Sequence, residues 1–175
     1  PKAEFTVDSE TFGPLIGDGQ AFVDLFGAFD ATQLATAKLS GTYGDVLLGP
    51  SEYCTGSYDS VVFPTGSDRG GVLASDLSAE QQALVTAAIA EWVGDYDATV
   101  ADALLAEYTS AEAFADTYVA WAGGTTPDIE TSGTYFRIDG PRVWIEVACQ
   151  SGVVISGTHY HTIYRDRDYD YGNAL

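Results

Sequence analysis

The sequence predicts an α+β domain, with N-terminal helices packed on one face of a C-terminal antiparallel β-meander. Three observations carry this. Apolar residues recur at helical spacing as far as Trp121. After Gly123-Gly124 they alternate with polar residues at the spacing of strands. Asp139-Gly140-Pro141 and Ser151-Gly152 then supply the turns that divide this region into three strands.

Taken in order, residues 1–17, through Phe5, Val7, Phe12 and Leu15, read as an extended arm ahead of a single domain over 18–175. Ala21 to Phe29 places Phe22, Val23, Leu25, Phe26 and Phe29 at a helical period. Asp30 caps a second helix through Leu39 that ends at Gly41. Tyr43 to Gly71 is rich in Gly, Ser, Asp and Pro and reads as an irregular surface segment. One short strand is expected in it, at Val61-Val62-Phe63.

Ser78-Ala79-Glu80-Gln81 is a capping box opening a helix that reaches Val93 before Gly94. Asp97 and Ser110 cap two further helices, Ala98 to Tyr108 and Ala111 to Trp121. Asp30-Ala-Thr-Gln33 and Leu77-Ser-Ala-Glu-Gln81 open their helices alike. The strands are expected over Thr134 to Ile138, Arg142 to Cys149 and Val153 to Tyr164, with Trp121 and Trp144 as core anchors.

At 175 residues and 46% hydrophobic content the chain supports one packed core. Seven Lys and Arg against 26 Asp and Glu give a net charge of −19. That balance repels nucleic acid and anionic membrane surfaces, and suits a protein kept soluble in salt or one that collects cations. No stretch approaches the roughly 20 apolar residues of a membrane helix. A start at Pro1-Lys2-Ala3 reads as a processed, secreted form. In that setting Cys54 and Cys149 form one disulfide; the alternative is two buried thiols.

The two histidines of the chain, His159 and His161, sit two apart on the third strand and so point the same way. Such a pair supplies two imidazole ligands to zinc or copper, with Asp166 as a third ligand or a partner behind them. Asp166, Asp168 and Asp170, followed by Gly172, present alternating carboxylates that suit calcium. The closing Glu of a calcium loop is missing, and a solvated acidic tail is the simpler reading. Arg165 and Arg167 interleave with these aspartates. Arg137 and Arg142 flank the Asp139 turn, where they pair with Glu146 or with the aspartate run. No nucleophile elbow and no phosphate-cradling glycine loop is present.

Tyr135-Phe-Arg-Ile-Asp-Gly-Pro-Arg-Val-Trp-Ile-Glu146, His159-Tyr-His-Thr-Ile-Tyr-Arg-Asp166 and Asp170-Tyr171-Gly172 together resemble an uncharacterised secreted bacterial family, domain of unknown function 3500. Asp45-Val-Leu-Leu-Gly-Pro50, Gly71 through Gln81 and Val119 to Gly123 resemble it as well. The likeness runs from about the first helix to the end of the chain. It implies a secreted protein and singles out His159, His161, Arg165 and Asp166, but it implies no established reaction. Members of that family usually carry further histidines, which this chain lacks.

Two functions follow as expectations. The first is an extracellular structural or self-assembling domain, joined through terminal arms by Phe5, Val7, Phe12, Tyr164, Tyr169 and Tyr171. The second is a metal-dependent oxidoreductase or hydrolase acting on an extracellular polymer through His159 and His161. A carbohydrate-binding surface using Trp92 ranks below both.

Overall fold

The computed structural model describes residues 3–49, 62–152 and 155–169. Two short strands, β1 (Phe5–Val7) and β2 (Glu10–Phe12), pair antiparallel as a hairpin. Helices α1 (Ile16–Gly27) and α2 (Ala31–Ala37) follow, and after a long irregular stretch comes β3 (Val72–Leu73). Helices α3 (Ala79–Val93), α4 (Ala98–Tyr108) and α5 (Ala111–Phe114) precede β4 (Tyr118–Ala122). The chain then runs through β5 (Tyr135–Asp139), β6 (Val143–Gly152) and β7 (Ile155–Asp166). Strands β3 to β7 form one antiparallel sheet in sequence order, a meander covered on one face by helices.

Alternation along the strands sorts the two faces. Val119, Trp121, Phe136, Ile138, Val143, Ile145, Val147, Cys149 and Tyr160 belong to the core shared with the helices. There Phe136 stacks on Phe22 and Phe26, with ring centroids 5.2 and 5.0 Å away. Trp92 is buried against the same core and donates its ring N–H to Thr162 Oγ1 at 2.9 Å, which removes it as a stacking surface for sugars. Trp121 likewise donates to the Leu34 carbonyl at 2.9 Å, locking β4 to α2.

Both capping boxes form as local chemistry demands. Asp30 accepts from the Thr32 and Gln33 N–H groups, and Ser78 accepts from the Gln81 N–H. The two glutamines that complete these boxes, Gln33 and Gln81, pair with each other through their amides at 2.8 and 3.0 Å. The likeness between the two helix starts is therefore a physical junction between α2 and α3.

Four expectations change. The N-terminal arm is a hairpin, because Asp8 and Ser9 both adopt positive φ (50° and 71°) and reverse the chain. The helix expected over Ala111 to Trp121 stops at Phe114, and Tyr118–Ala122 is a strand. Tyr118-Val119 and Trp121 favour a pleated surface, and pairing with β5 outweighs their helical spacing. Helix α1 starts at Ile16 rather than Ala21, and α2 ends at Ala37 rather than Leu39. Val62 and Phe63 lie in no strand, and Val61 is outside the described residues.

Candidate functional site

The face of the sheet turned away from the helices holds His159 and His161. The register places them opposite Gln150 and Ala148 of β6, with ring centroids 5.0 Å apart. The carboxylate that joins them is Asp45, whose Oδ1 lies 2.8 Å from His161 Nδ1. Asp45 is more than a hundred positions away in the chain, so no local spacing could mark it.

Asp166 belongs to the opposite face, because it is an odd number of residues from either histidine. It receives the Tyr108 hydroxyl at 2.5 Å, the Arg142 guanidinium, and the N–H groups of Asp168 and Tyr169. The Asp168 carboxylate lies 3.4 Å from Arg142 Nε. These two aspartates therefore serve Arg142, not the histidines, while Asp170 and Tyr171 lie outside the described residues. Among the described residues no group of three or more His, Cys, Asp or Glu is placed to hold a metal ion.

Around Asp166 the tyrosines cluster. Tyr108 and Tyr164 share a hydrogen bond of 2.7 Å between hydroxyls, and burial pushes the Tyr164 phenol up to about 12. Tyr164 is thus a packing residue, whereas Tyr169 lies exposed over Arg142, 4.9 Å from its ring centroid. Cys149 is buried in the helix-side core, and Cys54 lies outside the described residues.

The outer face carries a second, charged interior that the sequence did not announce. Segments 39–48 and 63–71 fold over it and bury Arg137, Asp139, Trp144, Glu146 and Arg165. Glu146 is wholly buried and accepts four donors: the Leu47 and Leu48 N–H groups, the Tyr135 hydroxyl and the Trp144 ring N–H. Asp139, equally buried, receives Arg69 at 3.1 Å and Arg167 at 2.7 Å on its Oδ1. Burial still raises its pKa, against the pull of Arg69, Arg167 and Arg137.

Arg137 differs from its neighbours. Its Nη2 donates to the Arg69 carbonyl at 2.6 Å, while its Nε is buried without a hydrogen-bond partner. Alternating charges at Arg137, Asp139 and Glu146 were legible as one face of a strand pair, but that pattern ordinarily marks a solvent face. Only the covering segments turn it inward.

An α+β domain with a buried ionic layer behind its sheet is the class defined by these features. The family model described as "Protein of unknown function (DUF3500)" matches residues 1–173, and the chain belongs to that family. No curated protein and no solved structure matches it.

Proposed function

We propose that this chain is an acidic extracellular structural domain that associates with copies of itself by strand addition. One observation carries the reading: the chain holds both an underpacked hairpin and an open sheet edge. Phe5, Val7 and Phe12 share one face of the hairpin and remain 50%, 51% and 40% exposed, although Phe5 and Phe12 stack on each other at 5.6 Å. Thr6 and Thr11 form the other face. An isolated two-stranded hairpin is marginal in water and gains stability by joining a larger sheet.

Strand β7, 12 residues long, pairs only with β6 among the described residues, so its outer edge is available to such a strand. Beside that edge, Ile16, Gly19, Val23, Ile129 and Tyr160 line a cleft of ≈ 250 Å³ that suits an incoming phenyl ring. Hairpin-to-edge contact is heterologous, and a heterologous contact that does not close into a ring builds filaments. A charge of −19 opposes the assembly, so salt should favour it. Light scattering and electron microscopy at low and high NaCl, on the full chain and on one lacking residues 1–14, test the reading. A monomer of the same mass in every condition overturns it.

The His161–Asp45 contact favours a second reading, a metal-dependent extracellular oxidoreductase or hydrolase with zinc or copper held by the two imidazoles. Its test is metal content after purification in zinc- or copper-containing medium, with His159→Ala/His161→Ala as control. Equal metal in both proteins removes it.

A further inference from the structure

Arg137 is 1% exposed, and among the described residues no carboxylate forms an ion pair with it. Buried guanidinium groups are ordinarily paired, because withdrawing an uncompensated charge from water is costly. The two buried carboxylates of the layer make their ion pairs and hydrogen bonds to other groups. Glu146, directly across the strand pair, is saturated by four donors. Asp139 is bonded by both Arg69 and Arg167 on Oδ1, and its buried Oδ2 makes no hydrogen bond to Arg137 or to any other described residue. Arg69, Arg137 and Arg167 thus gather round Asp139; Arg69 also pairs with Asp116 at 2.6 Å, and of the three only Arg137 has no ion pair among the described residues.

Arg137 lines a cleft of ≈ 650 Å³, opening between the segment after α2 and the segment before β3. Leu39, Tyr43, Phe63 and Pro64 give it apolar and aromatic patches, Lys38 and Asp68 line it as well, and Gly70 and Arg137 complete it. Gly70 takes φ 28°, and a Cβ there would sit 2.8 Å from Leu39, so the base carries no side chain above the guanidinium. A concavity with apolar patches and a buried polar group that fixes orientation is the usual form of a small-molecule site.

We propose that this cleft binds a small organic carboxylate, whose charged head reaches the guanidinium edge of Arg137 while its ring or chain lies between Tyr43 and Phe63. A planar carboxylate suits a guanidinium edge better than a spherical anion does. The site is independent of strand addition at β7, which lies at the other end of the sheet order from β3.

The test uses the full chain at fixed ionic strength, so that screening of its own charge is constant. Benzoate and D-glucuronate are titrated while the Arg137 Nε–H and Gly70 N–H resonances are followed by NMR. Benzamide and D-glucose serve as neutral counterparts. Saturable shifts are expected with the carboxylates alone, with Kd of order 1 mM. Arg137→Lys keeps the charge but loses the fork, and should weaken binding at least tenfold. Ser40→Trp, at the exposed rim and away from the buried layer, provides a second obstruction with the same expected loss. Shifts of equal size with the neutral counterparts, binding undiminished in Ser40→Trp, or no saturation by about 50 mM carboxylate each overturn the proposal.

Discussion

Tyr108 donates its hydroxyl to Asp166 across 2.5 Å, tying the last residue of α4 to the last residue of β7. Burial alone would raise the Asp166 pKa, but the bonds from Arg142, Tyr108 and the Asp168 N–H outweigh it and hold the carboxyl below its usual range. A carboxyl lowered on folding stabilises the fold above its unfolded pKa of about 3.9, and that contribution disappears as pH falls through the lowered folded value. Asp166→Asn should therefore cost about 2 kcal/mol at pH 7. The deficit should shrink in denaturant melts as pH falls through the lowered folded value, below which the wild type is protonated too. An undiminished deficit there would show that the bond does not depend on charge.

The Gln33–Gln81 amide pair makes a different prediction. Each glutamine also accepts the N–H of its own cap residue, Asp30 or Ser78, at 3.0 Å, and Gln81 donates to the Ala28 carbonyl at 2.7 Å. Gln33→Ala or Gln81→Ala removes one cap contact and strands the partner amide, costing about 1–2 kcal/mol each. The double variant should lose about 1 kcal/mol less than the two singles added together. Urea unfolding of all four proteins measures the coupling; strict additivity would mean that the helices cap independently.

These caps were legible because the chemistry that sets them lies within four residues. Ser78 with Gln81 and Asp97 with Thr99 fix helix starts whatever the rest of the chain does. Trp121 was misplaced for the complementary reason. Its partner is Phe136 on another strand, and such pairing leaves no trace at helical spacing. The histidine pair was equally visible as a pair, since alternation alone puts both rings on one side. Asp45, which completes it, arrives with a covering segment whose course depends on Glu146. Asp166 lies an odd number of residues from both histidines, and one step along a strand reverses the face.

Glu146 fixes that covering segment. One carboxylate oxygen meets Leu47 N–H and Tyr135 hydroxyl, the other Leu48 N–H and Trp144 ring N–H. Glu146→Gln would turn an NH2 group toward two donors, leaving them unsatisfied or in collision. The expected cost is about 3–5 kcal/mol, that of breaking a buried charged network. Loss should be local first: amide exchange at Leu47 and Leu48 accelerates well before that of Ile145 or Val147, which belong to the helix-side core. Uniform acceleration across the sheet would mean that the outer layer is not a separate unit.

The hairpin provides the sharpest separation between folding and assembly. Asp8 and Ser9 both hold positive φ, a conformation for which Asp is tolerated and Ser poorly suited. Ser9→Gly gives the Asp-Gly pair preferred in two-residue hairpin turns, so it should stabilise the reversal by about 0.5–1 kcal/mol. Phe5→Ser/Phe12→Ser removes the stacked rings but leaves the turn and the ladder intact. Neither change touches the core, so the melting temperature of the monomer should stay nearly constant. Association should respond in opposite directions: filaments or larger species at lower protein concentration for Ser9→Gly, and monomer alone for the double serine variant. High salt should widen the contrast, because screening weakens repulsion between acidic copies and leaves the apolar contact in place. Sedimentation velocity of the three proteins across salt concentrations would measure it, and a common monomer throughout would remove the hairpin from any role in assembly.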